Sequence, residues 1–143
     1  MLKRILVALD ASPRAPVVLA AADRLAQLTG ATMVVFRAVM VPPDMPRDLF
    51  AVTDLGLEDV LMRNARGDLE RLLRDVPPQR LEKIVAELAT PWDGICRAAR
   101  EHAADLIVIG SHGYGGLDRV LGTTASKVVN HTDRNVLVVR AEL

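Results

Sequence analysis

The chain has 143 residues, 50% apolar and 25% charged, which excludes a disordered chain and predicts one domain over residues 1–143, at about 100–200 residues per domain. Lys and Arg number 18 and Asp and Glu also 18, so no basic excess exists to grip nucleic acid or an anionic membrane. A single cysteine, Cys96, excludes an intrachain disulfide and a Cys-rich metal site, and fits a reducing cytoplasm. The basic start Met1-Leu2-Lys3-Arg4 is followed by only five apolar residues before Asp10, too few for a signal-peptide core. No run reaches the ~18 apolar residues of a membrane span. These observations predict a soluble, cytoplasmic protein. Aromatic residues make up 3% of the chain, which disfavours a base-stacking surface.

The first predicted element is a strand, Ile5–Leu9 (ILVAL). A helix follows from Ser12-Pro13, since Pro13 loses nothing by lacking an N–H in a first turn. Its apolar positions Ala15, Val18, Leu19, Ala22, Leu25 and Ala26 recur at helical spacing, and Gly30 stops it. Thr32–Val39 is a second strand. Met40–Phe50, with Pro42, Pro43 and Pro46, is irregular and reads as a surface loop. Leu57, Leu61, Ala65, Leu69, Leu72 and Val76 form a helical stripe ended by Pro77-Pro78. Lys83–Leu88 alternates apolar and polar residues and predicts a strand near an edge. Pro91 opens a helix with Trp92, Ile95, Cys96, Ala99 and Ala103 on one face. Leu106–Ile109 is a strand, Ala125, Val128, Val129 and Thr132 mark a short helix, and Val136–Val139 is the last strand. Near-continuous β-branched runs belong to strands buried on both faces. Strictly alternating strands and helices therefore predict a parallel sheet with helices on both sides.

Ligands of such sheets bind beyond the carboxyl ends of the strands, where the strand order reverses. Two post-strand segments there are chemically unusual. One is Asp10-Ala11-Ser12-Pro13. The other is Gly110-Ser111-His112-Gly113-Tyr114-Gly115-Gly116, with Gly122-Thr123-Thr124 opening the last helix. Glycines let backbone approach a ligand closely, and a helix N-terminus can hold an anion without a basic side chain. A Gly-rich turn can equally be a tight strand-to-helix connection. There is no GxxxxGK[ST] and no GxGxxG after the first strand, which excludes a P-loop and the usual dinucleotide fingerprint.

The stretch from Gly110 to Thr124, followed by Val136-Leu137-Val138-Val139-Arg140, resembles the C-terminal signature of the universal stress protein family. Ile5 to Ser12 resembles its N-terminal signature. The resemblance implies an open, Rossmann-like sheet of five parallel strands in the order 3-2-1-4-5, of the adenine nucleotide alpha hydrolase-like type. It also implies a homodimer through the last strand, Val136–Val139. One branch of the family binds ATP through a pattern written G-x2-G-x9-G-[ST]; another lacks the pattern and does not bind. Carried over by residue, the resemblance gives Ala8, Leu9 and Asp10 an adenosine-facing role and sets Ala38 against the adenine. Ile109, Gly110 and Gly113 line the ribose and phosphates, and Gly122, Thr123 and Thr124 hold the phosphates. The ligand implied is ATP or ADP, with Mg2+ as its counterion. This chain departs from the pattern: eight residues, Tyr114 to Leu121, separate Gly113 from Gly122 rather than nine. Ala89 stands where many members have glycine after the third strand.

Other residues have plainer readings. Asp10 can cap the first helix as well as meet a ligand. His112 has no placed serine or acid to complete a catalytic set, Cys96 reads as a small buried thiol, and Arg119 and Lys127 read as solvated as readily as phosphate-bound. The sequence commits no catalytic residue, no metal-ligand cluster and no phosphorylatable Asp after the third strand. At most it predicts slow ATP hydrolysis. Two functions remain open on sequence: a nucleotide-binding stress-response sensor or regulator, and a dimeric interaction module that binds no nucleotide.

Overall fold

β1 (Arg4–Ala8) holds the centre of the fold because its apolar run is covered on both faces: Ile5, Leu6 and Val7 have no exposed surface. The other elements follow in chain order as α1 (Ala15–Thr29), β2 (Thr32–Val39), α2 (Leu57–Leu72), β3 (Leu81–Leu88), α3 (Pro91–Glu101), β4 (Leu106–Gly110), α4 (Thr123–His131) and β5 (Asn135–Val139). This computed structural model describes residues 1–41, 56–111 and 121–140. The strands form one all-parallel sheet in the order β3-β2-β1-β4-β5, as the resemblance implies. The chain runs from β1 outward to β3, returns to β4 on the opposite side of β1, and ends at β5. The order therefore reverses between β1 and β4.

Alternating strand residues feed two separate cores. Ile5, Val7, Met33, Val35 and Val108 pack with α1 and with Leu69 and Leu73 at the end of α2. Leu6, Val34, Phe36, Ile107 and Ile109 pack with α3 and α4. Gly94 is what lets α3 approach this closely. A Cβ there would lie 2.9 Å from Ala89 Cβ and 3.1 Å from Phe36 Cζ. Among the described residues no helix is long and apolar enough to cross a membrane.

The elements differ from the sequence pattern at their ends, for identifiable reasons. Pro13 lies ahead of α1, and Pro16 takes the first-turn position instead. Residues 12–14 form a separate turn closed by Ala15 N–H donating to Ser12 O (3.2 Å). β1 ends at Ala8, one residue earlier than the apolar run. β3 begins at Leu81 rather than Lys83, because the register slips between Met33 and Val34 and leaves Glu82 opposite no residue of β2. Glu82 instead takes a bidentate bond from Arg4 (2.8 Å each) and one from Thr32 Oγ1 (2.9 Å). Ala103 is not on α3: it is exposed, at φ 50°, and Ala98 and Ala104 fill the core in its place. Val76 lies beyond the end of α2 yet packs against the α1 side of the core. The segment expected as a loop, Met40–Phe50, lies outside the described residues from position 42 onward.

Asp105 ties the start of β4 to the start of β1. Its Oδ2 accepts the N–H groups of Lys3 (2.8 Å) and Arg4 (2.9 Å). These backbone donors hold its carboxyl below the ordinary carboxylate range. A lowered folded-state pKa stabilises the protein above the unfolded pKa, ~3.9, and that stabilisation is lost as pH falls through the folded value. Asp105→Asn should therefore lower the melting temperature at pH 7. The gap from the parent should close as melting is repeated at successively lower pH below ~4; a gap independent of pH would assign the effect to something other than the charge.

Candidate functional site at the carboxyl edge of the sheet

The carboxyl ends of β1, β2, β4 and β5, the starts of α1, α3 and α4, and one face of α2 frame a cleft of about 770 Å³ at the point where the strand order reverses. From β1 and the turn after it come Ala8, Leu9 and Asp10; from β2, Phe36 and Ala38; from β4, Ile109 and Gly110; from the start of α4, Gly122, Thr124 and Ala125. Parallel pairing aligns these ends: Ala8 sits opposite both Phe36 and Ile109, and Leu9 N–H donates to Phe36 O (2.9 Å). The size is within the usual ~300–1,000 Å³ of small-molecule sites.

The β1–α1 turn is built by side chains accepting from backbone. Asp10 Oδ1 accepts Ser12 N–H (2.9 Å) and Ser12 Oγ accepts Arg14 N–H (3.2 Å). Asp10 thus fixes the turn and does not cap α1, whose N-cap residue is Arg14 with no side-chain cap bond. Gly110 lets α1 lie against the end of β4, since a Cβ there would stand 3.1 Å from Val18 Cγ2. Ser111 then latches three elements. Its N–H donates to Val139 O (2.9 Å), its carbonyl accepts Gly122 N–H (2.8 Å), and its side chain is fully buried. This bond sets Gly122 at the mouth of α4. The next N–H groups of that helix have no partner within it, as at any helix start.

The structure thus gathers Ala8, Leu9, Asp10, Ala38, Ile109, Gly110, Gly122 and Thr124 around one cleft. Thr123 is not among the lining residues; it is exposed, one helical position round from Thr124. Gly113, His112, Arg119 and the shortened connection from Tyr114 lie outside the described residues. Sequence reasoning missed Arg14, Arg37, Asn64 and Asp68, which also line the cleft. Arg37 pairs with Asp68 at 3.5 Å, and Asp68 is held in turn by Arg71. The polar face of α2 carried no signal of this role, because it reads as a solvated helix face.

No group of three or more His, Cys, Asp or Glu is placed to hold a metal among the described residues. Cys96 is buried on α3. Burial pushes its thiol above the ordinary value, so it lacks the thiolate character of a reactive cysteine.

The profile of the universal stress protein family matches residues 1–140. The chain belongs to the universal stress protein family. It is 30% identical over 143 residues to universal stress protein A homolog 1 of Coxiella burnetii, covering 96% of this chain and 95% of the relative. Among solved structures it is similar to the universal stress protein UspA from Lactobacillus plantarum, with a TM-score of 0.72 at 27% identity over 96% of this chain and 97% of that one. It is also similar to a universal stress protein from Archaeoglobus fulgidus solved in complex with dAMP. That match has a TM-score of 0.65 at 25% identity, over 95% of this chain and 96% of that one. Stress response is the functional setting this universal stress protein shares with its family.

Proposed function

We propose that this universal stress protein binds an adenine nucleotide, ATP or ADP, in the cleft between the ends of β1 and β4, and acts as a cytoplasmic dimeric sensor or regulator in the stress response. The observation that carries the reading is the convergence of Asp10, Ala38, Gly110 and Gly122, from four separate segments, on one cleft of suitable size. The dAMP complex of the Archaeoglobus fulgidus relative supports the adenine part of it. The apolar wall of Ala8, Ala38 and Ile109 suits a flat base. The free N–H groups at the start of α4 suit phosphate oxygens. Mg2+ would be held mainly by the phosphates and water with at most one or two carboxylates, and Asp10 and Asp68 are the carboxylates that line the cleft. Calorimetric titration with ATP and ADP, with and without Mg2+, tests the reading: saturable 1:1 heat is expected. No heat with either nucleotide would leave the interaction-module function in its place.

The dimer is proposed from the edge of the sheet. β5 is the last strand, paired with β4 alone among the described residues, and an open apolar edge invites a second copy. Within the strand Val136–Val139 expected at the dimer contact, Val136 and Val138 pack against the α3–α4 core of their own chain. Leu137 is 41% exposed and is the better probe. Leu137→Lys should shift the mass measured by light scattering at tens of micromolar from dimer to monomer. A monomeric parent protein would remove the dimer from the proposal.

A further inference from the structure

Arg14 stands at the cleft in an unusual state. Its Nε is sealed from solvent and has no hydrogen-bond acceptor among the described residues. The other arginine lining the cleft, Arg37, has Asp68 as its partner. The two cleft carboxylates are otherwise engaged: Asp10 by the N–H of Ser12, Asp68 by Arg37 and Arg71. Arg14 itself is only half-buried and lines the cleft, so its two Nη groups, unlike Nε, are open to an anionic oxygen that enters there.

The backbone around Arg14 is already committed. Its N–H donates to Ser12 Oγ, and its carbonyl accepts the N–H groups of Val17 (3.0 Å) and Val18 (3.2 Å). Ala15 N–H is spent on Ser12 O, and Pro16 has none. The start of α1 therefore has little main-chain donor capacity left for an anion. With Arg37 already paired to Asp68, Arg14 is the cleft arginine that has no ion pair among the described residues. The free N–H groups of α4 approach from the opposite face of the sheet, since α1 and α4 pack on different cores.

We propose that Arg14 reads the charge of the ligand: its guanidinium takes an anionic phosphate oxygen, so that the cleft selects phosphorylated nucleosides over free ones. This rests on the nucleotide reading of the cleft and names the residue that makes the phosphate a requirement. A guanidinium presents its N–H donors in a rigid fork that matches phosphate oxygens, whereas an ammonium offers only a point charge.

The test is calorimetry with ATP, AMP and adenosine on the parent protein, Arg14→Gln and Arg14→Lys, with circular dichroism melts confirming that each variant folds. The parent should bind ATP and AMP more tightly than adenosine. Arg14→Gln should weaken ATP and AMP by about 10–100-fold, the size of one lost charge-assisted hydrogen bond, and leave adenosine unchanged. Arg14→Lys should fall between. Equal weakening of adenosine would assign Arg14 a structural role and overturn the inference, as would unchanged affinity for all three. A parent protein that binds none of the three would overturn the nucleotide reading itself, before any variant is compared.

Discussion

Phe36→Ala should lower the unfolding free energy by about 3–5 kcal/mol and the melting temperature by about 10–20 °C, the largest stability loss expected of a single truncation among the described residues. Among the described residues Phe36 is the largest fully buried side chain, with no exposed surface. It lies between the end of β2 and α3, where Gly94 has no side chain and Ala89 only a methyl. None of these neighbours can swing in to fill the space that a lost ring leaves, so the cavity term is retained almost in full. Because domains of this kind are stable by only ~5–15 kcal/mol, the loss is a large share of the total. Thermal melts followed by circular dichroism check it. A fall of only a few degrees would mean that α3 collapses onto β2 and that the close approach at Gly94 is not rigid.

The second large effect is on binding. Ala38→Trp should weaken ATP by at least about 100-fold, ~2.7 kcal/mol. An indole is close to adenine in size and shape, and placed at the end of β2 it would fill the apolar part of the cleft beside Ala8, Phe36 and Ile109. Ala38 is only partly buried, so the substitution should cost far less stability than Phe36→Ala. Calorimetry with ATP, alongside a melt, separates the two. Undiminished affinity in a folded variant would move the base elsewhere.

How much of this was legible in the sequence depends on which physical signal each element carries. The continuous apolar runs of β1, β2 and β4 mark buried parallel strands without ambiguity, and Gly30 marks a real boundary, whereas α2 ends at Leu72, ahead of the stop expected at Pro77. Glu82 hid the start of β3, because a bulge breaks the alternation that pattern reading relies on. Pro13 and Pro16 both suit the start of a helix, and only the turn closed by Asp10 and Ser12 decides between them. In the site, Asp10, Gly110 and Gly122 stand out because glycine and a carboxylate after buried strands have few other reasons to be there. Arg14 does not stand out, since an arginine ahead of a helix ordinarily points to water. Asn64 and Asp68 belong to a polar face of α2 that becomes a cleft wall only when the tertiary fold brings it over the end of β2.

The place of the site is tested most directly by a backbone amide spectrum recorded through an ATP titration. Saturable shifts are expected at Leu9 to Ser12, Ala38 to Met40, Gly110 and Gly122 to Ala125, with the amino-terminal ends of the same strands, Arg4, Thr32 and Asp105, unmoved. Shifts concentrated at those amino-terminal ends or along β5, with the β1–α1 turn and the start of α4 unchanged, would contradict this placement.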